Sequence, residues 1–123
     1  VAPGWKAALL VLSLLAPEMA CAHTMLRKSE PVQRAQLARA PAAVRLWFSE
    51  RLEPAFSSAV VEDAKGVAVT QGKAAVSSQD PNLLELKLPP LPAGQYTVRY
   101  QVMSVDGHTV KSSYTFQVKD GAQ

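Results

Sequence analysis

Cysteine is almost missing from this chain: Cys21 is the only one. A single thiol closes no disulfide within the chain and builds no multi-thiolate metal site. Histidine is nearly as scarce, with only His23 and His108. No run of like charge occurs. Apart from the adjacent Arg27-Lys28, the 13 Lys and Arg residues are scattered singly and the formal net charge is +3, so there is no basic stripe interleaved with aromatics and nucleic-acid binding is not expected. The longest apolar stretch, Ala7 to Ala16, has ten residues, about half of the ~20 that a bilayer-spanning helix needs. No glycine-rich phosphate loop or nucleophile elbow is present, and no helical period persists for three turns. Carboxylate neighbours such as Glu50 and Glu53, or Glu62 and Asp63, lie in polar contexts and read as solvated rather than as an acid–base pair.

What is present begins with a leader. Lys6 gives a positive start, Ala7 to Ala16 an apolar centre, Pro17 a break, and Ala20-Cys21-Ala22 the small residues a signal peptidase reads. Residues 1–22 are therefore expected to be a cleaved secretory signal peptide and residues 23–123 a single domain. Cleavage removes Cys21 and makes His23 the new N-terminus. Attachment of lipid to Cys21 is disfavoured, because Glu18 stands where a leucine is wanted.

After the leader the pattern is alternation over short spans, broken by Pro, Gly, Asn and Asp. Candidate strands are Thr24–Ser29, Ala43–Phe48, Phe56–Glu62, Val67–Gln71 as a short edge, Leu83–Leu88, Gln95–Met103 and Val110–Lys119. Gln33 to Ala40 reads as a polar connection with room for one helical turn. Pro89 to Gly94 is a stiff loop, since proline fixes φ and cannot join a central ladder. About seven short strands without a long helix predict an all-β sandwich or Greek-key barrel.

The two histidines supply the chemistry. A free N-terminal histidine offers its α-amine and ring Nδ1, which close a six-membered chelate around a metal. The amine's ordinary pKa of about 7.7–8.0 lets Cu(II) displace its proton near neutrality. His108 would add a third nitrogen and Asp106 a carboxylate oxygen, with Gly107 letting the backbone bend so that both point at one centre. Nitrogen-rich tetragonal sets suit Cu(II), which also heads the divalent affinity order. Taken alone, Asp-Gly is an ordinary hairpin signal, and a lone turn histidine is usually solvated. It is the coincidence of His108 with a histidine directly after a cleavage site that points to a metal.

His23, Phe48-Ser49-Glu50, the alternating Gly94–Ser104 segment leading into Asp106-Gly107-His108, and Tyr114-x-Phe116-x-Val118 together resemble the copper resistance protein C (CopC) family. The resemblance spans residues 23 to about 119. It implies an immunoglobulin-like Greek-key β-sandwich or barrel in the periplasm, holding one Cu(II) per chain. The implied ligands are the amine and Nδ1 of His23, the ring of His108 and the carboxylate of Asp106, with Glu50 as a further carboxylate near copper. Some members also bind Cu(I) in a Met- and His-rich loop. The corresponding stretch, Asp63 to Asp80, has neither residue, so the resemblance is to the Cu(II)-only type. Met25 and Met103 are isolated and read as core or near-core packing. Thr109 and Ser112-Ser113 stand where relatives often carry Pro and Gly.

The expected role is a monomeric, non-enzymatic copper carrier or buffer, with an inner-membrane transporter of the CopD type as its partner. Two rivals come from other classes. One is an oxidative copper enzyme with a histidine brace, disfavoured by the small domain and by Asp106 filling a position that oxygen chemistry needs open. The other is a structural immunoglobulin-like module in which Trp47 would be a contact residue.

Overall fold

The computed structural model describes residues 25–120. The expected leader and His23 lie outside the described residues. Within them the chain forms two four-stranded sheets. The strands are β1 Leu26–Glu30, β2 Ala35–Leu37, β3 Ala43–Phe48, β4 Ser58–Glu62, β5 Ala75–Val76, β6 Leu83–Lys87, β7 Gly94–Met103 and β8 Thr109–Val118. One sheet has the order β1-β3-β6-β5 and the other β2-β8-β7-β4. The chain crosses between sheets after β1, β2, β3, β4 and β6, which gives the immunoglobulin-like Greek-key sandwich.

The two-residue alternation is what closes the core. In β3, Val44, Leu46 and Phe48 turn inward while Arg45 stays exposed. In β7, Tyr96, Val98, Tyr100 and Val102 face them, joined by Tyr114, Phe116 and Val118 of β8. β7 and β8 pair without interruption from Gly94↔Val118 to Met103↔Thr109. Aromatic rings tie the layers: Phe48 meets Tyr100 edge-on, with centroids 5.5 Å apart. Two buried tyrosines anchor loops through their hydroxyls. Tyr96 donates to the Pro92 carbonyl at 2.6 Å, and Tyr114 donates to the Pro31 carbonyl at 2.8 Å. Burial raises both phenols above their ordinary pKa, Tyr114 to about 12.

Four expectations are corrected. Gln33–Ala40 holds no helical turn; its centre is β2, which pairs parallel with β8. After Pro31 the chain crosses to the second sheet, where Ala35 and Leu37 pack on the core. Val67–Gln71 is not a strand and touches β4 through the single bridge Glu62↔Ala68. The edge strand is instead β5, on the other sheet. Met25 is not core packing, being 62% exposed. The carboxylates Glu62 and Asp63 are also more engaged than solvated groups would be. Glu62 accepts from Arg99 at 2.8 Å, and Asp63 accepts the backbone N–H groups of Lys65 and Val67 to shape the turn.

Candidate metal centre

The β7–β8 hairpin ends in the turn Ser104–His108. The N–H of Gly107 donates to the Ser104 carbonyl at 2.9 Å, and the N–H of Ser104 donates to the His108 carbonyl at 2.9 Å. Gly107 has φ +96°, in the left-handed region that a side chain would strain. With that reversal completed by glycine, Asp106 and His108 come to the same side. Asp106 Oδ1 lies 3.0 Å from His108 Nδ1.

The pair is tied to the domain from below. Ser104 is fully buried, and its hydroxyl donates to Asp106 Oδ1. The same hydroxyl accepts the His108 backbone N–H at 3.3 Å. Hydrogen bonds from Ser104 and then from His108 hold the Asp106 carboxyl down to about 2 from its ordinary 3.8. The carboxylate is therefore charged across the neutral range, which favours a proton on His108 Nδ1 and leaves Nε2 as the ring's lone-pair nitrogen.

A second segment runs beside this turn. After β3 the chain bends through Ser49 and Glu50, and the Arg51 carbonyl accepts the Val105 N–H at 3.0 Å. Leu52 bridges to Ser104, and the Glu53 N–H donates to the Met103 carbonyl at 2.8 Å. On its other side the segment holds the start of the described chain. The Ser49 N–H donates to the Met25 carbonyl at 2.8 Å, and the Met25 N–H donates to Ser49 Oγ at 2.8 Å. Segment 49–53 thus connects the turn carrying Asp106 and His108 with Met25, two residues after His23 in sequence.

Of the expected ligands, the structure brings Asp106 and His108 into contact. Glu50 is partly exposed on the neighbouring segment, and His23 lies outside the described residues. Among the described residues no three His, Cys, Asp or Glu side chains converge on one metal position. Sequence reasoning gave no role to Ser104 or Ser49, although both stand inside the motifs that carried the resemblance. A small hydroxyl has no distinctive pattern, and its partners become visible only when the strands are paired.

Comparison with known proteins gives the family. A family model described as the CopC domain matches residues 26–119. The chain is 40% identical over 113 residues to "Protein YobA" of Escherichia coli K12, covering 91% of this chain and 90% of that protein. It is 35% identical over 116 residues to "Copper resistance protein C" of Xanthomonas campestris pv. juglandis, covering 89% and 91% of the two chains. The crystal structure of CopC from Methylosinus trichosporium OB3b superposes with a TM-score of 0.75 at 36% identity, over 80% of this chain and 95% of that one. Sequence and sandwich topology lead to the same place: this chain belongs to the CopC family.

Proposed function

We propose that this protein is a periplasmic carrier or buffer of copper, binding one Cu(II) at the Asp106–His108 turn together with the N-terminus created by cleavage after Ala22. In this reading residues 1–22 are the signal peptide and residues 23–123 the mature domain. The amine and Nδ1 of His23, Nε2 of His108 and the remaining oxygen of Asp106 form the ligand set, and Glu50 adds negative charge nearby. The observation that carries the reading is the Asp106–His108 contact at 3.0 Å, which orients the imidazole through Nδ1. Metal-ligating histidines almost always have their second nitrogen tied down in this way. His23 is two residues before Met25, a span of at most about 7 Å of chain, and Met25 is held at Ser49, beside Glu50.

Copper is the cargo here, and the protein's contribution is to hold and release it. No reaction is assigned. The absence of Met and His between Asp63 and Asp80 favours Cu(II) over Cu(I), which selects thioether ligands. A monomer that hands copper to an inner-membrane transporter of the CopD type completes the reading.

The test is titration of protein confirmed by mass to begin at His23, with Cu(II) in competition with a chelator. One tightly held copper per chain is expected, with strong loss in His108→Ala and in a form extended by one residue before His23. Equal binding by all three forms would sink the proposal.

A further inference from the structure

Resting in part on that reading, we propose that Ser104 is a positioning residue for the metal loop: acting through Asp106, it sets which nitrogen of His108 carries the proton. Apart from the tyrosines, only two polar side chains are buried among the described residues, Ser57 and Ser104, and Ser104 is the fully enclosed one. Its backbone is already committed, the N–H to the His108 carbonyl and the carbonyl to the Gly107 N–H. The hydroxyl proton then has two acceptors within range. One is the His108 carbonyl at 3.5 Å, at the limit of a hydrogen bond and already accepting from the Ser104 N–H. The other is the charged Asp106 Oδ1, in close contact. A charge-assisted bond to a carboxylate is the stronger of the two, so the hydroxyl points at Asp106.

This direction matters because the Asp106–His108 contact is exposed. Their side chains retain 47% and 40% of their accessible surface, and pairs so exposed are weak and mobile in water. Ser104 gives the pair an immobile anchor, fixing Oδ1 where the ring's Nδ1 meets it. Histidine in water slightly favours the opposite tautomer, with the proton on Nε2. The turn reverses that preference and places the proton on Nδ1 before any metal arrives. The fold thereby covers the ordering cost in advance, which is the usual effect of an outer hydrogen-bond partner on a metal ligand.

Long-range 1H–15N NMR of the metal-free protein, at a pH that keeps His108 neutral, reads the tautomer directly. The wild type is expected to be mostly protonated at Nδ1. Ser104→Ala should shift His108 toward the Nε2–H form and weaken Cu(II) binding by about tenfold, the lower end of what such outer partners contribute. In an Asp106→Ala background, Ser104→Ala should change the tautomer no further, since its route to the ring is gone. A wild-type tautomer in Ser104→Ala, or an equal shift in both backgrounds, overturns the proposal. Should Ser104→Ala not fold, Ser104→Cys, close in volume but a weak donor, answers the same question by the same criterion. Absence of copper binding by the wild type would overturn the copper reading alone, leaving the tautomer to decide the role of Ser104.

Discussion

Met25 and Ser49 hold each other through two hydrogen bonds of 2.8 Å, one from each backbone N–H, the first accepted by a hydroxyl and the second by a carbonyl. The contact extends the β1–β3 ladder by one step beyond Leu26↔Phe48. It also fixes where the chain leading back to His23 departs from the sandwich.

Ser49→Ala removes the hydroxyl half of that clamp. One net hydrogen bond is worth about 1 kcal/mol, so copper affinity should fall about fivefold while the core stays intact. Chelator competition alongside thermal melting checks this. A copper affinity equal to wild type would show that the clamp plays no part in placing the N-terminal ligand.

Gly107→Ala tests the turn itself. A Cβ at this position meets nothing within 4 Å, so any penalty comes from the backbone at φ +96°. A loss of about 1 kcal/mol or more is expected, with weaker copper binding because Asp106 and His108 no longer share a side. Denaturant unfolding with and without Cu(II) separates the two effects, and an unchanged stability would argue against the left-handed conformation.

Tyr114 gives a pH prediction. Its folded pKa is raised from 10.0 to about 12, chiefly by burial. A raised pKa means the folded state holds its proton longer than the unfolded one. The stability this contributes is complete below pH 10 and is lost as pH rises through about 12. Urea midpoints should therefore drop across that window, and Tyr114→Phe should flatten part of the drop at the cost of the bond to Pro31. An equally steep fall in Tyr114→Phe would assign the effect elsewhere.

Leu46 is completely buried in the middle of β3. Leu46→Ala should cost about 2–5 kcal/mol through lost transfer energy and the cavity left behind. Copper stoichiometry should be unchanged in the molecules that remain folded. A cost well under 1 kcal/mol by urea unfolding would mean that the core collapses around the gap.

Reduction should release the metal. With neither Met nor His between Asp63 and Asp80, the chain offers that loop no soft donor set for Cu(I). Ascorbate with a Cu(I) chelator should strip bound copper rapidly, followed by loss of the Cu(II) spectrum. Retention of Cu(I) after reduction would point to thioether ligation, with the exposed Met25 the first residue to replace.

The long strands were legible because inward and outward residues alternate without error in Val44–Phe48, Tyr96–Val102 and Tyr114–Val118, and burial alone imposes that period. β2 was not legible: three residues, Ala35–Leu37, become a strand only because β8 lies parallel beside them, a pairing with no local signal. Leu52 and Leu91 are both almost fully buried, yet each is a single apolar residue in a polar or proline-rich loop, where no period exists to mark it. Asp106 and His108 were identifiable by residue type. Ser104 and Ser49 were not, since their roles come from tertiary contacts that a small hydroxyl does not advertise.

The direction of β8 has one further consequence. The strand starts at Thr109, beside the Asp106–His108 turn, and ends at Val118, paired with Gly94 at the opposite end of the sandwich. Ten strand residues carry the chain about 30 Å from the loop. The Lys119 and Asp120 N–H groups then bond back to Leu37 and Ala38, fixing the exit. The domain therefore has a front and a back. A tether, label or solid support joined after Asp120 starts from the end of the sandwich opposite the Asp106–His108 turn and leaves that turn uncovered, as the proposed hand-off of copper to another surface would require.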